Sequence, residues 1–251
     1  MASTFGTTGL TRAGVGRPLE RLYFITMDGA VTNVGAVRPG GTPIGHVEQV
    51  EAASRAGIRW IQLRMKEATD AEVSAAATEA KKICDVRGCV LIINDRVEIA
   101  AAVNAHGVHL GKEDMPVSEA RRILGANKLV GGTANTLEDI RKHHLEGADY
   151  IGLGPYRYTT TKKNLSPVLE LEGYRRIMSR LEEERIDIPV IAIGGIGVED
   201  AAPLLDAGLY GIAFSGMLVH AEDRPALVRA LEEKLVRALE EKMVGVLGKK
   251  N

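Results

Sequence analysis

The chain has 251 residues, 45% of them hydrophobic and 26% charged, and carries a formal net charge of -1. This size suits one globular domain with a sizeable core, or two small ones. The balanced charge gives no global reason to expect nucleic acid or an anionic membrane surface as a partner, so any anion binding must be local. No apolar run approaches the ~20 residues of a membrane span. A soluble, cytoplasmic protein is predicted.

The cysteines and the first residues add little. Cys84 and Cys89 are too few for a disulfide scaffold, and their spacing lacks the second ligand pair of a zinc site. We interpret them as packing cysteines of a reducing compartment. Residues 1–20 are rich in Gly and Thr and lack an uninterrupted signal-peptide core, which predicts a flexible leader; a weak organellar transit peptide is the alternative.

Short apolar runs alternate with amphipathic, charge-rich stretches between about residues 21 and 220. This order predicts a parallel sheet with helices between its strands. The predicted strands are 22–27, 60–64, 90–93, 107–110, 129–131, 150–152, 189–193 and 211–214. The predicted helices are 46–56, 70–86, 116–124, 136–146, 172–184 and 198–207. Eight such strands in ~250 residues predict an α/β fold, the closed (β/α)8 TIM barrel. An open doubly wound sheet competes, but it needs a switch point and usually a different glycine fingerprint.

Two segments extend this barrel, which we place at residues 21–220. Residues 30–42 form a loop after the first strand, where a barrel has its catalytic mouth; a lid and a plain solvated insertion both stay open. Residues 221–251 contain a long helix that begins at Pro225. Its apolar face is formed by Leu227, Leu231, Leu235 and Leu239. That face favours packing of the helix on the barrel over binding of a partner.

Polar residues follow the second barrel strand. In a barrel, the residues that end the strands gather at one mouth. The second strand ends IQLRMKE, and alternation puts Gln62, Arg64 and Lys66 on one side. Turning two cations and an amide inward is costly unless an anion binds there, because buried charges need a partner. An inward layer of salt bridges is the alternative explanation.

The next two strands deliver carboxylates to the same mouth. LIINDR ends with Asn94 and Asp95, and VHLGKED carries His109 and Asp114. Two aspartates on neighbouring strand ends suit a magnesium ion that keeps several waters and bridges phosphate oxygens. Catalytic zinc is disfavoured because His109 has no partner histidine at ligand spacing, and we interpret His109 as structural.

The last strands predict a phosphate site. VIAIGGIG places a glycine pair directly after a strand, and GIAFSGM places Ser215 just before a helix. Loops after the seventh and eighth strands form a recurring phosphate site in barrels. After the sixth strand, YIGLGPYRYTTTKKN adds three hydroxyls and two lysines suited to a phosphate-rich ligand, with a solvated surface loop as the alternative. The pattern predicts a phosphate-handling barrel without naming its reaction.

These motifs, in this order, resemble the thiamine phosphate synthase family over residues 21–220. QLRMK resembles that family's QLREK, GVHLGKEDM resembles HLGQEDM, and LIINDRVEIA, the TTTKK loop, IGGI and FSGM resemble its other segments. The resemblance implies a (β/α)8 enzyme that joins 4-amino-2-methyl-5-hydroxymethylpyrimidine diphosphate to 4-methyl-5-(2-phosphoethyl)thiazole and releases pyrophosphate. It further implies Mg2+ as cofactor and small-molecule substrates as partners, without nucleic acid or membrane. The oligomeric state stays open, a homodimer included.

Carried over position by position, the resemblance implies three groups of site residues. The pyrimidine diphosphate is expected to be held by Gln62, Arg64, Lys66, Asn94, Thr133 and Lys162. Mg2+ is expected to be held by Asp95 and Asp114. The thiazole phosphate is expected to be received by Thr159, Thr161 and the backbone at Ile191, Gly195 and Ser215. The residues expected to act in catalysis are Arg64, Lys66, Thr133 and Lys162.

Four departures from the family pattern bear on this hypothesis. Met65 replaces an acidic residue and is expected to face away from the pocket, and Tyr158 replaces a proline. Lys112 replaces a glutamine and is expected to add a cation near Asp114. Asn135 stands where histidine is frequent; the thiazole tautomerases share the barrel but usually lack the lysine loop and commonly use that histidine, so the synthase is favoured. A non-catalytic thiazole-phosphate-binding barrel and a sugar-phosphate isomerase or aldolase are two further hypotheses.

Overall fold

The computed structural model describes residues 20–32, 42–158 and 167–248 of the chain. Within these residues, eight parallel strands close a barrel and alternate with helices, so the predicted (β/α)8 fold is confirmed. The strands are β1 (Leu22–Ile25), β2 (Val31–Thr32), β3 (Thr42–Pro43), β4 (Trp60–Leu63), β5 (Val90–Asn94), β6 (Gly107–Leu110), β7 (Leu129–Ala134), β8 (Tyr150–Leu153), β9 (Val190–Ile193) and β10 (Gly211–Phe214). β1 and β4 to β10 form the barrel, which closes where β10 pairs with β1.

The helices follow the strands as the sequence pattern indicates. They are α1 (His46–Ala56), α2 (Asp70–Arg87), α3 (Val97–Ala102), α4 (Val117–Leu124), α5 (Leu137–Leu145), α6 (Glu170–Glu183), α7 (Ala201–Asp206), α8 (Gly216–Val219) and α9 (Arg224–Gly248). The predicted helix 198–207 is divided into a 3-10 turn, Val198–Asp200, and α7. No helix in the described segments has the length and apolar character that a membrane crossing requires.

The end of α2 accounts for both cysteines. Gly88 takes a left-handed conformation with φ 65°, and the amide of Cys89 donates to the carbonyl of Cys84 across 2.7 Å. This is the Schellman arrangement, in which the two residues that flank the turn bring apolar side chains together. Both cysteines are buried and are not joined in a disulfide, which agrees with the packing interpretation.

Aromatic rings fill the base of the barrel. Strand alternation turns Tyr23, Trp60 and Tyr150 inward, where Tyr23 stacks on Trp60 with ring centroids 4.0 Å apart and Tyr150 meets Trp60 edge-on at 4.9 Å. Each of these side chains is at most 2% exposed. The interior is therefore a packed core at this level, as in other barrels of this type.

The helices cover the outer face of the barrel, and α9 packs against α1 and α7. Its buried side chains are Val228, Leu231, Leu235 and Ala238. The last described turns of α9 are exposed, with Met243 and Val244 in solvent.

The loop after β1 is described only at its two ends. β2 and β3 pair as a short antiparallel ladder, and the amide of Ile44 donates to the carbonyl of Ala30 across 3.0 Å. Residues 33–41 between them lie outside the described residues, as does the leader before Glu20. The choice between a lid and a solvated insertion for residues 30–42 therefore stays open.

Candidate active site

A pair of carboxylates lies at the mouth of the barrel. Asp95 follows β5 and Asp114 follows β6, and a hydrogen bond joins their carboxyl groups. Burial and the neighbouring Asp114 raise the pKa of Asp95 to about 6, against the opposing effect of Lys66, whose ammonium forms an ion pair with it. Burial acts to raise the pKa of Asp114 too, but hydrogen bonds from Asp95 and from the amide of Gly111, 2.6 Å away, bring it below its usual value. The pair concentrates negative charge at one point.

The backbone at Asp95 is held in an uncommon conformation. Its φ is 63°, in the left-handed region, where aspartate is tolerated better than most residues. The amide of Asp95 donates to the carbonyl of His109 across 2.9 Å, which ties the turn to β6. Such conformations persist where the surroundings enforce them, often at functional sites. Here the turn brings the Asp95 carboxylate next to that of Asp114.

This donor set fits a hard divalent cation that keeps some of its waters. Two close carboxylates relieve their repulsion by binding a cation, and the ammonium of Lys66 at Asp95 shows that a positive charge is accommodated there. Among the described residues, no cluster of three or more His, Cys, Asp or Glu side chains could enclose a metal ion. Any ion at this pair would therefore complete its shell with water or a ligand.

The cations after β4 are positioned by residues that the sequence analysis missed. Asp28, just after β1, accepts from the amide of Lys66 at 3.3 Å and lies 3.9 Å from the guanidinium of Arg64. His46, at the start of α1, lies 3.2 Å from Asp28 and 2.9 Å from the hydroxyl of Thr26. Asp28 directly follows a predicted strand, so the strand-end rule used for Asp95 would have found it.

Thr133 and His109 meet inside the barrel. Nε2 of His109 lies 3.0 Å from the hydroxyl of Thr133, and Nδ1 lies 3.2 Å from the phenol of Tyr150. Both ring nitrogens are therefore engaged within the barrel, which agrees with the interpretation that His109 is not a metal ligand. The phenol oxygens of Tyr150 and Tyr23 lie 3.0 Å apart, and Nε2 of Gln62 donates to the phenol oxygen of Tyr23 across 2.6 Å. We call these five residues the buried chain.

Asn94 supplies a polar group without a partner. It ends β5 and is 6% exposed, and its Nδ2 is buried with no hydrogen-bond acceptor among the described residues. An unsatisfied buried amide costs free energy, so its presence calls for an explanation. A ligand acceptor at the mouth would supply one.

The glycine pair after β9 accommodates the protein's own chain. Gly194 and Gly195 have φ values of 94° and 70°, and a Cβ at each would lie 2.9 Å from Cβ of Pro155 and of Arg157 respectively. The segment before the predicted threonine and lysine loop therefore packs directly on the glycine turn. The glycines are required for this approach as well as for any exposed backbone amide.

Ser215 reaches the mouth, whereas Ile191 does not. Ser215 follows β10 and precedes the four-residue helix α8. Ile191 is the second residue of β9, is fully buried, and aligns with Gly152 and Gly211 in the sheet. Its backbone lies within the ladder, two residues below the strand end, so the structure does not bring it together with Ser215. The remaining predicted ligands of this region, Thr159, Thr161 and Lys162, lie outside the described residues.

The departures from the family pattern have local explanations. Lys112 forms an ion pair with Asp139 of α5 at 3.0 Å, and its expected effect as a cation near Asp114 stays a prediction. Asn135 donates its side-chain amide to the carbonyl of Gly154, and its backbone amide donates to Asp139 at 2.9 Å. Met65 packs against the outer core, away from the mouth. The side chain of Asn135 is an amide, and its hydrogen bond to Gly154 gives it no role in proton transfer.

At the mouth of the barrel, two carboxylates lie beside the cations that follow β4, and the loops after the last two strands open at the same end. This arrangement is typical of the class of phosphate-handling (β/α)8 barrel enzymes. The family model described as thiamine monophosphate synthase matches residues 30–218. The chain belongs to this family.

Individual relatives agree with that assignment. The chain is 52% identical to a thiamine-phosphate synthase of Bacteroides fragilis over 178 residues, 71% of this chain and 87% of that one. It is 44% identical to the thiamine-phosphate synthase of Flavobacterium johnsoniae over 199 residues, 79% and 94% of the two chains. Among solved structures, a thiamine phosphate pyrophosphorylase from Pyrococcus furiosus superposes with a TM-score of 0.71 at 32% identity, over 87% of this chain and 96% of that one.

Proposed function

We propose that this enzyme is a transferase that condenses 4-amino-2-methyl-5-hydroxymethylpyrimidine diphosphate with 4-methyl-5-(2-phosphoethyl)thiazole to give thiamine phosphate and pyrophosphate. The observation that carries the proposal is the meeting of Lys66 with the Asp95 and Asp114 pair, in a chain of this family. A tautomerase is not supported, because Asn135 is an amide engaged with the backbone.

The pyrimidine diphosphate is assigned to the side of the mouth built by β4, β5 and β7. The residues assigned to it are Gln62, Arg64, Lys66, Asn94, Thr133 and Lys162. Arg64 and Lys66 neutralise its charge, while the unsatisfied Nδ2 of Asn94 donates to it. Lys162 is kept from the sequence resemblance alone.

Mg2+ is assigned to Asp95 and Asp114. Bound there with the diphosphate, the ion would neutralise negative charge on the leaving pyrophosphate. The carboxylate pair fits it because both groups are hard oxygen ligands, few in number, beside groups that attract phosphate.

The reaction type matches these residues. When pyrophosphate departs from the activated CH2 group, the pyrimidine ring stabilises the cation that remains, and the neutral thiazole nitrogen then attacks. The protein must hold the nucleophile in line and neutralise the leaving group, which are tasks of position and charge. No general base is required.

The thiazole phosphate is assigned to the loops after β8, β9 and β10, with Thr159, Thr161, Gly195 and Ser215. Ile191 is left out because its backbone belongs to the sheet ladder. The packing of Pro155 and Arg157 on the glycine turn supports this grouping, since it brings Arg157, two residues before Thr159 in the sequence, to the β9 loop.

The test is release of pyrophosphate from purified protein supplied with both substrates and Mg2+. Release that requires both substrates and the metal is expected. Asp95→Asn should lose most of the activity, whereas Asp85→Asn, which removes an exposed helix-surface acid paired with Lys81, should retain it. Absence of release from the unmodified protein with verified substrates would refute the proposal.

A further inference from the structure

The buried chain crosses the barrel interior from β4 to β7 and can have either of two directions. Gln62 Nε2 donates to the phenol of Tyr23 across 2.6 Å. Tyr23 then has one proton to give, and its neighbour is the phenol of Tyr150 at 3.0 Å. In the direction that this donation sets, Tyr150 would give its proton to Nδ1 of His109, 3.2 Å away. A neutral imidazole that accepts at Nδ1 carries its proton at Nε2, which donates to the Thr133 hydroxyl at 3.0 Å.

We propose that the buried chain runs in this direction, so that Thr133 receives a hydrogen bond from His109 and keeps its own hydroxyl proton for an acceptor in the mouth. His109 and Tyr150 are then positioning residues that make Thr133 a donor. In the opposite direction, Gln62 would present its carbonyl oxygen and Thr133 would give its proton to His109. Thr133 could then only accept.

The interior is shaped to hold these groups. A Cβ at Gly131 would lie 2.2 Å from Cζ of Tyr150, and a Cβ at Gly152 would lie 3.1 Å from Cε1 of His109. Tyr23, Tyr150 and Gln62 are at most 2% exposed. Burial raises the pKa of Tyr23 and of Tyr150 far above the usual value of a phenol, so both keep their protons. A buried chain of neutral groups polarises along its length.

The direction matters because the hydroxyl of a threonine rotates. A free hydroxyl must be oriented when the ligand binds, whereas one that already accepts from a fixed imidazole has its proton aimed beforehand. On the proposed function, the acceptor is an oxygen of the diphosphate, and the direction of the chain itself does not depend on that assignment.

The first test is the tautomer of His109, read from 15N shifts of histidine-labelled protein without substrates. His109→Gln identifies its signals among the six histidines. A neutral ring protonated at Nε2 is expected. Protonation at Nδ1, or a cationic ring, would overturn the proposal.

Tyr150→Phe removes the donor to Nδ1 and should shift the signals toward the other tautomer. Tyr174→Phe is the matched control, because it removes a buried phenol that donates to Leu153 instead, at 2.6 Å; it should leave the His109 signals in place.

The second test is a double-mutant cycle on pyrophosphate release. Tyr150→Phe should lower kcat about tenfold, and Thr133→Ser should retain most of it. If Tyr150 acts through Thr133, adding Tyr150→Phe to Thr133→Ala should cause no further loss. A full, additive loss would show that Tyr150 has only a structural effect. If the unmodified protein releases no pyrophosphate, the proposed function fails while the tautomer measurement still decides the direction of the chain.

Discussion

Arg157 and Asp200 join the loop after β8 to the loop after β9. The guanidinium meets both carboxylate oxygens, with Nη2 2.7 Å from Oδ1, and Asp200 also accepts from the amide of Gly197 at 2.7 Å. Burial acts to raise the pKa of Asp200, but Arg157 holds it below its usual value. Paired hydrogen bonds of this kind fix geometry as well as charge. This clamp of Arg157 and Asp200 therefore holds Arg157, two residues before Thr159 in the sequence, against the loop after β9.

Removing this clamp should weaken binding of the thiazole phosphate. We expect Arg157→Ala to raise the KM for that substrate about fivefold with kcat nearly unchanged, because the loop is less well placed before binding. Arg175→Ala, which breaks an exposed pair with Glu172 on α6, serves as the control in steady-state kinetics. Equal KM values for the two variants would contradict this role.

Asp114→Asn should separate activity from stability. One carboxylate of the pair is lost, so the Mg2+ concentration for half-maximal activity should rise by about tenfold or more. The metal-free melting temperature should not fall, since repulsion with Asp95 is relieved and an amide oxygen can still accept from Gly111. A metal titration and a thermal melt check both parts. An unchanged Mg2+ requirement would remove Asp114 from the metal site.

Asn94→Leu should abolish most activity without loss of stability. Its Nδ2 has no acceptor among the described residues, so an apolar side chain of similar size removes an unmet polar group. Gln49→Leu is the comparison, because Gln49 is equally buried but bonds to Met27 at 3.0 Å and to Ile44 at 3.2 Å. We expect that variant to lose about 2 kcal/mol of unfolding free energy. If denaturant unfolding shows the same loss for Asn94→Leu, the amide is structural.

Lys112→Gln should change little. Its ion pair with Asp139 is partly exposed, and such pairs contribute at most about 1 kcal/mol. The kcat and the Mg2+ requirement should stay within about twofold of the unmodified enzyme, within the usual range for surface substitutions. A lower Mg2+ requirement in this variant would show instead that Lys112 competes with the metal at Asp114.

The fold could be predicted from the sequence because its signals are local. All eight barrel strands were predicted, and α1 has the predicted bounds. The short helix α3 was missed because it follows the turn at Asp95, where polar residues were interpreted as site residues. The break between Val198–Asp200 and α7 was missed because the capping of a 3-10 turn by Asp200 leaves no change in hydrophobic pattern.

The site could be predicted only in part, because many of its contacts join residues far apart in the chain. Strand alternation correctly predicted that the side chain of Gln62 points into the barrel. The expectation that polar residues gather where strands end correctly placed Asp95 at the mouth. It could not show that Lys112 turns to Asp139, which is 27 residues away. Nor could it show that His109 bridges Tyr150 and Thr133, since that contact depends on barrel closure.

The stacked rings of Tyr23 and Trp60 limit the routes by which substrates and products can enter and leave the barrel. With the base of the barrel filled by aromatic side chains, the described strands leave no second exit through the axis. Whatever enters by the mouth must leave by it, so pyrophosphate and the larger product share one route out.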